Sequence, residues 1–157
     1  MKKLSIVLFA LAAIGFASCS KTQTPFDPAK QAAADDASIK AYITAQKLDS
    51  VRKDTSGVYY KIITPGTGAY PTIKSSVVVD YQGSLLNGNI FAPEDGTNGP
   101  LTGFITGWQI GVPFINTGGT ILLLIPSRYG YGNVSPAASI PANSVLVFTV
   151  KLVSFAN

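Results

Sequence analysis

Residues 76–91 have the sequence SVVVDYQGSLLNGNIF, and this stretch decides the fold. Val77, Val79 and Tyr81 would lie on one face of an extended chain, whereas the other face carries Asp80. This alternation predicts a β-strand with one buried face. The Asn-Gly pair that follows favours a primed hairpin turn, so we expect the chain to return alongside this strand.

Three more stretches predict strands of the same sheet. Residues 58–63 are rich in β-branched and aromatic side chains and end at a Pro-Gly pair. Residues 121–125 are apolar on both faces, which predicts a central strand. Residues 145–155 alternate, and one face is uniformly apolar: Leu146, Phe148, Val150 and Leu152.

One short helix interrupts the strands. Thr106 and Gln109 have the spacing of a capping box, and Pro113 limits the helix to about two turns. Five strand candidates and one lone helix predict an α+β domain, in which a single antiparallel sheet wraps around the helix.

The first 18 residues have the pattern of a signal peptide. Lys2 and Lys3 precede an apolar run over residues 4–16, which is shorter than the about 20 residues that span a bilayer. The run leads to Ala-Ser-Cys, and Cys19 is the only Cys of the chain. This ending resembles a bacterial lipobox, which implies a diacylglyceryl thioether on Cys19, an acylated N-terminus and a durable anchor in the bilayer. The alternative is an ordinary signal peptide with an incidental Cys.

Residues 19–33 contain two Pro and lack apolar periodicity, so we expect a flexible tether. Residues 34–55 are expected to form an accessory helix and a linker, because Asp35 and Asp36 suit a helix N-terminus. An apolar stripe follows at helical spacing: Ile39, Tyr42, Ile43 and Gln46. Two interpretations of this helix stay open. It is either a surface helix, packed on the domain or free, or a helix that dimerises or grips substrate.

Composition excludes several kinds of chemistry. The 157 residues include no His and one Cys, which excludes Ser-His and Cys-His catalysis, His-containing zinc sites and intrachain disulfides. The net charge is +4, and without Lys2 and Lys3 there are 10 basic against 8 acidic residues. We therefore expect no nucleic-acid partner. We also expect no metal and no cofactor.

Five motifs, in chain order, resemble the FKBP-type peptidyl-prolyl cis-trans isomerases. They are Ser-Gly-Val-Tyr-Tyr at 56–60, Val-Asp-Tyr-Gln-Gly-Ser-Leu at 79–85, Phe-Ile-Thr-Gly-Trp at 104–108, Ile-Pro-Ser-Arg-Tyr-Gly-Tyr-Gly at 125–132, and Ile-Pro at 140–141 with Leu-Val-Phe at 146–148. The resemblance implies an FKBP-like isomerase domain over residues 56–157. Together with the lipobox, it implies a bacterial lipoprotein member of the family.

The resemblance also implies a substrate pocket and the residues that form it. The catalytic residues would be Tyr81, Phe91, Ile105, Trp108 and Tyr131, with Trp108 as the floor under the substrate proline. Further substrate-binding residues would be Leu101, Phe104, Ile140 and Phe148. The Ile105 backbone N–H would hold a substrate carbonyl. The Tyr131 hydroxyl would donate to a carbonyl or orient the flap, the long segment before the last strand.

The sequence departs from the family pattern around this pocket. Ala92 stands where most members have Asp, and Ser139 stands where an apolar flap residue is common. Compared with the family that it resembles, the segment 93–103 is shorter than usual, which implies that it omits part of a strand and the usual second wall Phe; the segment is also rich in turn formers. Leu101 would take the place of that Phe.

The leading hypothesis is a peptidyl-prolyl isomerase that rotates X-Pro bonds in an apolar aromatic pocket without covalent chemistry and assists the folding of exported envelope proteins. Its partners would be proline-containing polypeptides and, through acylated Cys19, the lipid bilayer. It would be anchored in the cell envelope, at the periplasmic side of the outer membrane. The alternatives are a non-catalytic peptide-binding or chaperone lipoprotein on the same fold, and a structural or carbohydrate-binding envelope lipoprotein.

Overall fold

The computed structural model describes residues 25–157; the predicted signal peptide, Cys19 and the first part of the predicted tether lie outside the described residues. The strands are β1 (Arg52–Lys53), β2 (Tyr59–Thr64), β3 (Ser76–Leu85), β4 (Ile90–Pro100), β5 (Thr120–Ile125) and β6 (Leu146–Ala156). They form one sheet in the order β1-β2-β5-β6-β3-β4, and every neighbouring pair is antiparallel. The predicted α+β class with a single antiparallel sheet is confirmed.

Two α-helices and three single 3₁₀ turns complete the described part of the chain. The helices are α1 (Pro28–Ala45) and α2 (Thr106–Gly111), and the 3₁₀ turns are Leu101–Gly103, Val112–Phe114 and Ser127–Tyr129. Among residues 25–157, no helix has the length and apolar character needed to cross a membrane.

Strand β5 separates two apolar clusters, which explains why it is apolar on both faces. Ile121, Leu123 and Ile125 pack into the main core, on the side of the sheet that α2 covers. Leu124 packs on the opposite side with Ile39 of α1. The predicted central position of this strand is therefore confirmed. The predicted apolar face of β6 is confirmed as well, because all four of its residues are buried in the main core.

Helix α1 begins six residues earlier than expected, so the predicted boundary between the tether and the helix is wrong. Asp27 caps the helix by accepting hydrogen bonds from the Ala29 and Lys30 N–H groups, at 2.9 and 3.1 Å. Pro28 occupies the first turn, where a Pro fits because its missing N–H would be unpaired anyway. The helix also ends earlier than the predicted region, at Ala45.

Helix α1 packs on the domain, as the first interpretation predicts. Ile39 is fully buried against the outer side of the sheet. Beside it, Asp36 accepts a hydrogen bond of 2.7 Å from the Tyr59 hydroxyl and forms ion pairs with Lys40 and Lys53. Hydrogen bonds from Lys40, Lys53 and Tyr59 hold the pKa of Asp36 well below its usual range. This carboxylate thus links α1 to β1 and β2.

The β3–β4 hairpin differs in two ways from what its local sequence suggests. The predicted primed turn would need a positive φ at Asn87, but only Gly88 adopts one, at 87°. The turn is instead a longer one, in which Gly88 donates to the Leu85 carbonyl and Leu85 donates to the Asn89 carbonyl. The turn formers of residues 93–100 do not interrupt the strand, because these residues continue β4 opposite β3. β4 is an edge strand, and edge strands tolerate the Pro and Gly residues that suggested turns.

Candidate active site

A cavity of about 320 Å³ opens beside β3, β4, α2 and the flap, which comprises residues 133–145. The residues that line it are Tyr81, Phe91, Ala92, Thr97, Phe104, Ile105, Trp108, Tyr131, Ala137, Ser139, Ile140 and Phe148. None of these described side chains carries a charge, and half of them are aromatic. The cavity is therefore suited to an apolar group attached to an uncharged polar backbone.

All the predicted pocket residues except Leu101 line this cavity. Leu101 is fully buried in the core, where its N–H donates to the Ser75 carbonyl at 2.9 Å. The expectation that Leu101 replaces a wall residue is therefore wrong. Thr97 also lines the cavity. It lies in the second half of β4, which the sequence did not predict to be a strand.

Helix α2 places Trp108 at the cavity by lying very close to β5. A Cβ added at Gly107 would lie 2.4 Å from the Ile125 side chain, and one added at Gly111 would lie 2.4 Å from the Leu123 side chain. Only Gly therefore permits this close approach. As a result Trp108 is 3% exposed. The predicted capping box is wrong, because Gln109 Nε2 instead donates to the Phe104 carbonyl at 2.7 Å and no side chain caps α2.

Three aromatic rings surround the Trp108 indole. The ring centroids of Tyr81 and Phe148 lie 5.0 and 5.3 Å from that of Trp108, and both pairs are edge-to-face, at 81° and 85°. The Phe104 ring lies 5.2 Å away at 31°. Phe91 meets Phe148 edge-to-face at 5.5 Å. Such geometries are favoured between aromatic rings, so the floor and walls of the cavity support one another.

Gly83 permits this arrangement, a role that the motif around it does not indicate. It lies on β3 between Ala92 of β4 and Phe148 of β6. An added Cβ would lie 2.6 Å from the Phe91 ring and 2.8 Å from the Phe148 ring. A Gly inside a strand pattern is the signal that could have identified this close approach.

The cavity offers hydrogen-bond donors that lack protein partners. Within residues 25–157, the Ile105 N–H and the hydroxyls of Tyr81 and Tyr131 have no acceptor. The buried Nε1–H of Trp108 has none there either. Burial, and to a lesser degree the neighbouring Tyr81, raises the pKa of Tyr131, so its hydroxyl stays protonated at neutral pH. In the same part of the chain, no three His, Cys, Asp or Glu side chains are grouped closely enough to hold a metal ion.

A larger cleft, of about 370 Å³, is a weaker candidate. It lies over the polar positions of β3 and β6, and Asp80, Glu94 and Lys151 contribute to its lining. It shares Tyr81 with the first cavity, but the rest of its described lining is polar or charged, so it lacks the cluster of rings that surrounds Trp108.

Comparison with known proteins identifies relatives of this chain. The family of FKBP-type peptidyl-prolyl cis-trans isomerases matches residues 68–153. A Neisseria meningitidis serogroup B protein, named as a probable FKBP-type peptidyl-prolyl cis-trans isomerase FkpA, is 38% identical over 109 residues, which are 67% of this chain and 40% of the relative.

Solved structures resemble the fold closely. The crystal structure of FkpA from Escherichia coli has a TM-score of 0.69 and 32% identity, and the match covers 81% of this chain and 62% of that one. A peptidyl-prolyl cis-trans isomerase from Pseudomonas syringae pv. tomato has the same TM-score and 26% identity, with 85% of this chain and 99% of that one covered. The matched region spans about half the length of the curated relatives, from 40% to 52% in those compared.

Proposed function

The chain belongs to the FKBP-type peptidyl-prolyl cis-trans isomerases, and from this premise we propose that it catalyses the rotation of X-Pro peptide bonds in the cavity around Trp108. The observation that carries the proposal is an uncharged cavity lined by aromatic rings, with hydrogen-bond donors that have no acceptor within residues 25–157. Its substrates would be proline-containing segments of unfolded polypeptides.

The reaction needs a suitable environment rather than a nucleophile. Rotation about an amide bond has a barrier of about 18–20 kcal/mol because it disrupts the resonance of the planar amide. The twisted amide is less polar than the planar one, so a dry apolar cavity stabilises it relative to the ground state. The lack of His and of any charged side chain in the cavity lining is compatible with this mechanism.

The residues would divide this work between an apolar seat and polar contacts. Trp108 would lie under the substrate proline ring, with Phe91 and Phe148 as walls. The Ile105 N–H would donate to a substrate carbonyl, and the Tyr131 hydroxyl would donate to a second carbonyl. Ile140, which is 6% exposed, would contact the substrate from the flap.

A second candidate function is peptide binding without catalysis. Ala92 favours it, because Ala92 lines the cavity at the position where most family members carry Asp. Exchange NMR on an X-Pro peptide separates the two functions. The isomerase proposal expects catalytic amounts of protein to produce exchange cross-peaks between the cis and trans forms. Peptide line broadening without such cross-peaks would favour binding alone, and gain of exchange in Ala92→Asp would identify that position as the cause.

Isomerisation is expected to be insensitive to pH. Between about pH 6 and pH 9, kcat/KM should stay constant, since His and free Cys titrate in this range but neither lines the cavity. The raised pKa of Tyr131 keeps its hydroxyl protonated throughout. The measurement is kcat/KM for one uncharged X-Pro peptide across this range. A bell-shaped profile in protein that stays folded would mean that a titrating group takes part.

We further propose that the protein is a lipoprotein of the cell envelope, anchored at the periplasmic side of the outer membrane, and that its clients are exported proteins. The lipobox-like residues before Cys19 support this proposal. Radiolabelled palmitate supplied to expressing cells should label the wild-type protein and not Cys19→Ser. Equal labelling of both proteins would contradict the anchor.

A further inference from the structure

Asp35 is a buried carboxylate that the proposed reaction does not use. It lies in the second turn of α1 and is 2% exposed. One of its oxygens accepts hydrogen bonds from the backbone N–H and the hydroxyl of Ser127, at 2.8 and 2.7 Å. The other accepts one from Gln31 Nε2 at 2.7 Å. Burial of a carboxylate costs free energy unless hydrogen bonds replace those it made with water. Because Ser127 provides two of these hydrogen bonds, they hold α1 against Ser127.

Ser127 in turn holds the turn that carries Tyr131. Its carbonyl accepts hydrogen bonds from the N–H groups of Gly130 and Gly132, at 2.9 and 2.8 Å, and these two residues flank Tyr131. The Gly132 carbonyl then accepts the Asn143 N–H at 2.7 Å, which closes the flap across its base. All three polar groups of Ser127 are therefore hydrogen-bonded. Its N–H and hydroxyl donate to Asp35, and its carbonyl accepts from this turn.

We propose that Asp35 is a positioning residue that acts on Tyr131 through Ser127. This inference rests on the proposed isomerase function, in which the Tyr131 hydroxyl meets the substrate. Asp35 lies outside residues 68–153, the part that matches the family. Helix α1 thus contributes to the active site through this one carboxylate, although none of its residues lines the cavity.

The neighbouring Asp36 provides a matched control. It lies on the same helix, but its partners are Lys40, Lys53 and Tyr59, and none of these belongs to the flap or lines the cavity. Asp35→Ala and Asp36→Ala each remove one carboxylate that attaches α1 to the domain. Only Asp35→Ala removes the attachment to Ser127.

The first test compares isomerisation by these variants in the full chain. Asp35→Ala is expected to lower kcat/KM about tenfold, while Asp36→Ala stays within about twofold of the wild type. In a Tyr131→Phe background, Asp35→Ala should lower kcat/KM by no more than about twofold, because coupled residues are not additive. Ser127→Ala keeps the hydrogen bond from the backbone N–H to Asp35 and should lower kcat/KM about threefold. This variant replaces Asp35→Ala in the test if Asp35→Ala does not fold. Equal losses with Tyr131 and with Phe at position 131 would overturn the proposal.

The second test does not depend on activity. Amide hydrogen exchange at Gly130 and Gly132 should be faster in Asp35→Ala than in the wild type, and unchanged in Asp36→Ala. If the wild type shows no isomerisation, the proposed function fails, but this comparison still decides whether Asp35 holds the turn. Unchanged exchange in a folded Asp35→Ala protein would overturn the link.

Discussion

Replacement of Trp108 by Leu is expected to lower kcat/KM for X-Pro isomerisation about a hundredfold, which corresponds to about 2.7 kcal/mol of transition-state stabilisation. Leu keeps the position apolar but removes the flat ring that we propose lies under the substrate proline, together with the contacts of that ring with Tyr81, Phe104 and Phe148. The kcat/KM of Trp108→Phe should be about ten times that of Trp108→Leu, because Phe supplies an aromatic ring, although a smaller one. The measurement is the catalysed rate on one peptide, with urea unfolding of each variant in parallel.

Leu152→Val separates this effect from general destabilisation. Leu152 is fully buried in the same core as Trp108 but does not line the cavity. The variant should lose about 1 kcal/mol of unfolding free energy and keep kcat/KM within about twofold. If Trp108→Leu and Leu152→Val had equal activities, Trp108 would be a core residue without a role in the reaction.

Gly83→Ala is expected to lower kcat/KM more than about tenfold and the free energy of unfolding by about 1–3 kcal/mol. The new methyl group would lie within 3 Å of two rings at once, those of Phe91 and Phe148. Phe148 cannot retreat easily, because it is 4% exposed and packs edge-to-face against Trp108. The wall of the cavity must therefore shift, which would misplace the proposed seat of the substrate proline.

Gly103→Ala is the matched control for this change. Its added Cβ would have only a Pro100 side-chain atom within 4 Å, at an ordinary distance of 3.8 Å. Unfolding and isomerisation should both stay close to wild type in this variant. A Gly83→Ala protein with unchanged activity and stability would show that the rings have more freedom than their packing indicates.

The parts of the fold that the sequence could predict depend on local pattern. The apolar run of β5 and the alternation of β6 indicated one central strand and one strand with a single buried face, and both predictions are confirmed. Most cavity residues were identified through the resemblance to a family, not through spacing. An aromatic residue taken alone has the same pattern in a core as in a site.

The failures arise where long-range contacts override local preference. Pro93, Gly96 and Gly99 suggested turns, but β3 supplies a partner that keeps them extended in an edge strand. Asp35 suited a helix N-terminus, yet Ser127, 92 positions away, makes it a buried anchor. Nothing in the local sequence of either residue indicates that contact.

The most direct test of the proposed reaction is a protease-free isomerisation measurement on an X-Pro peptide, with wild type and Trp108→Leu at equal concentrations of folded protein. The rate of cis–trans exchange should rise in proportion to the concentration of wild-type protein. With Trp108→Leu the rate should stay close to the uncatalysed value, which corresponds to tens of seconds at 25 °C. An uncatalysed rate with folded wild-type protein would rule out the isomerase activity, and equal acceleration by both proteins would rule out the role of Trp108.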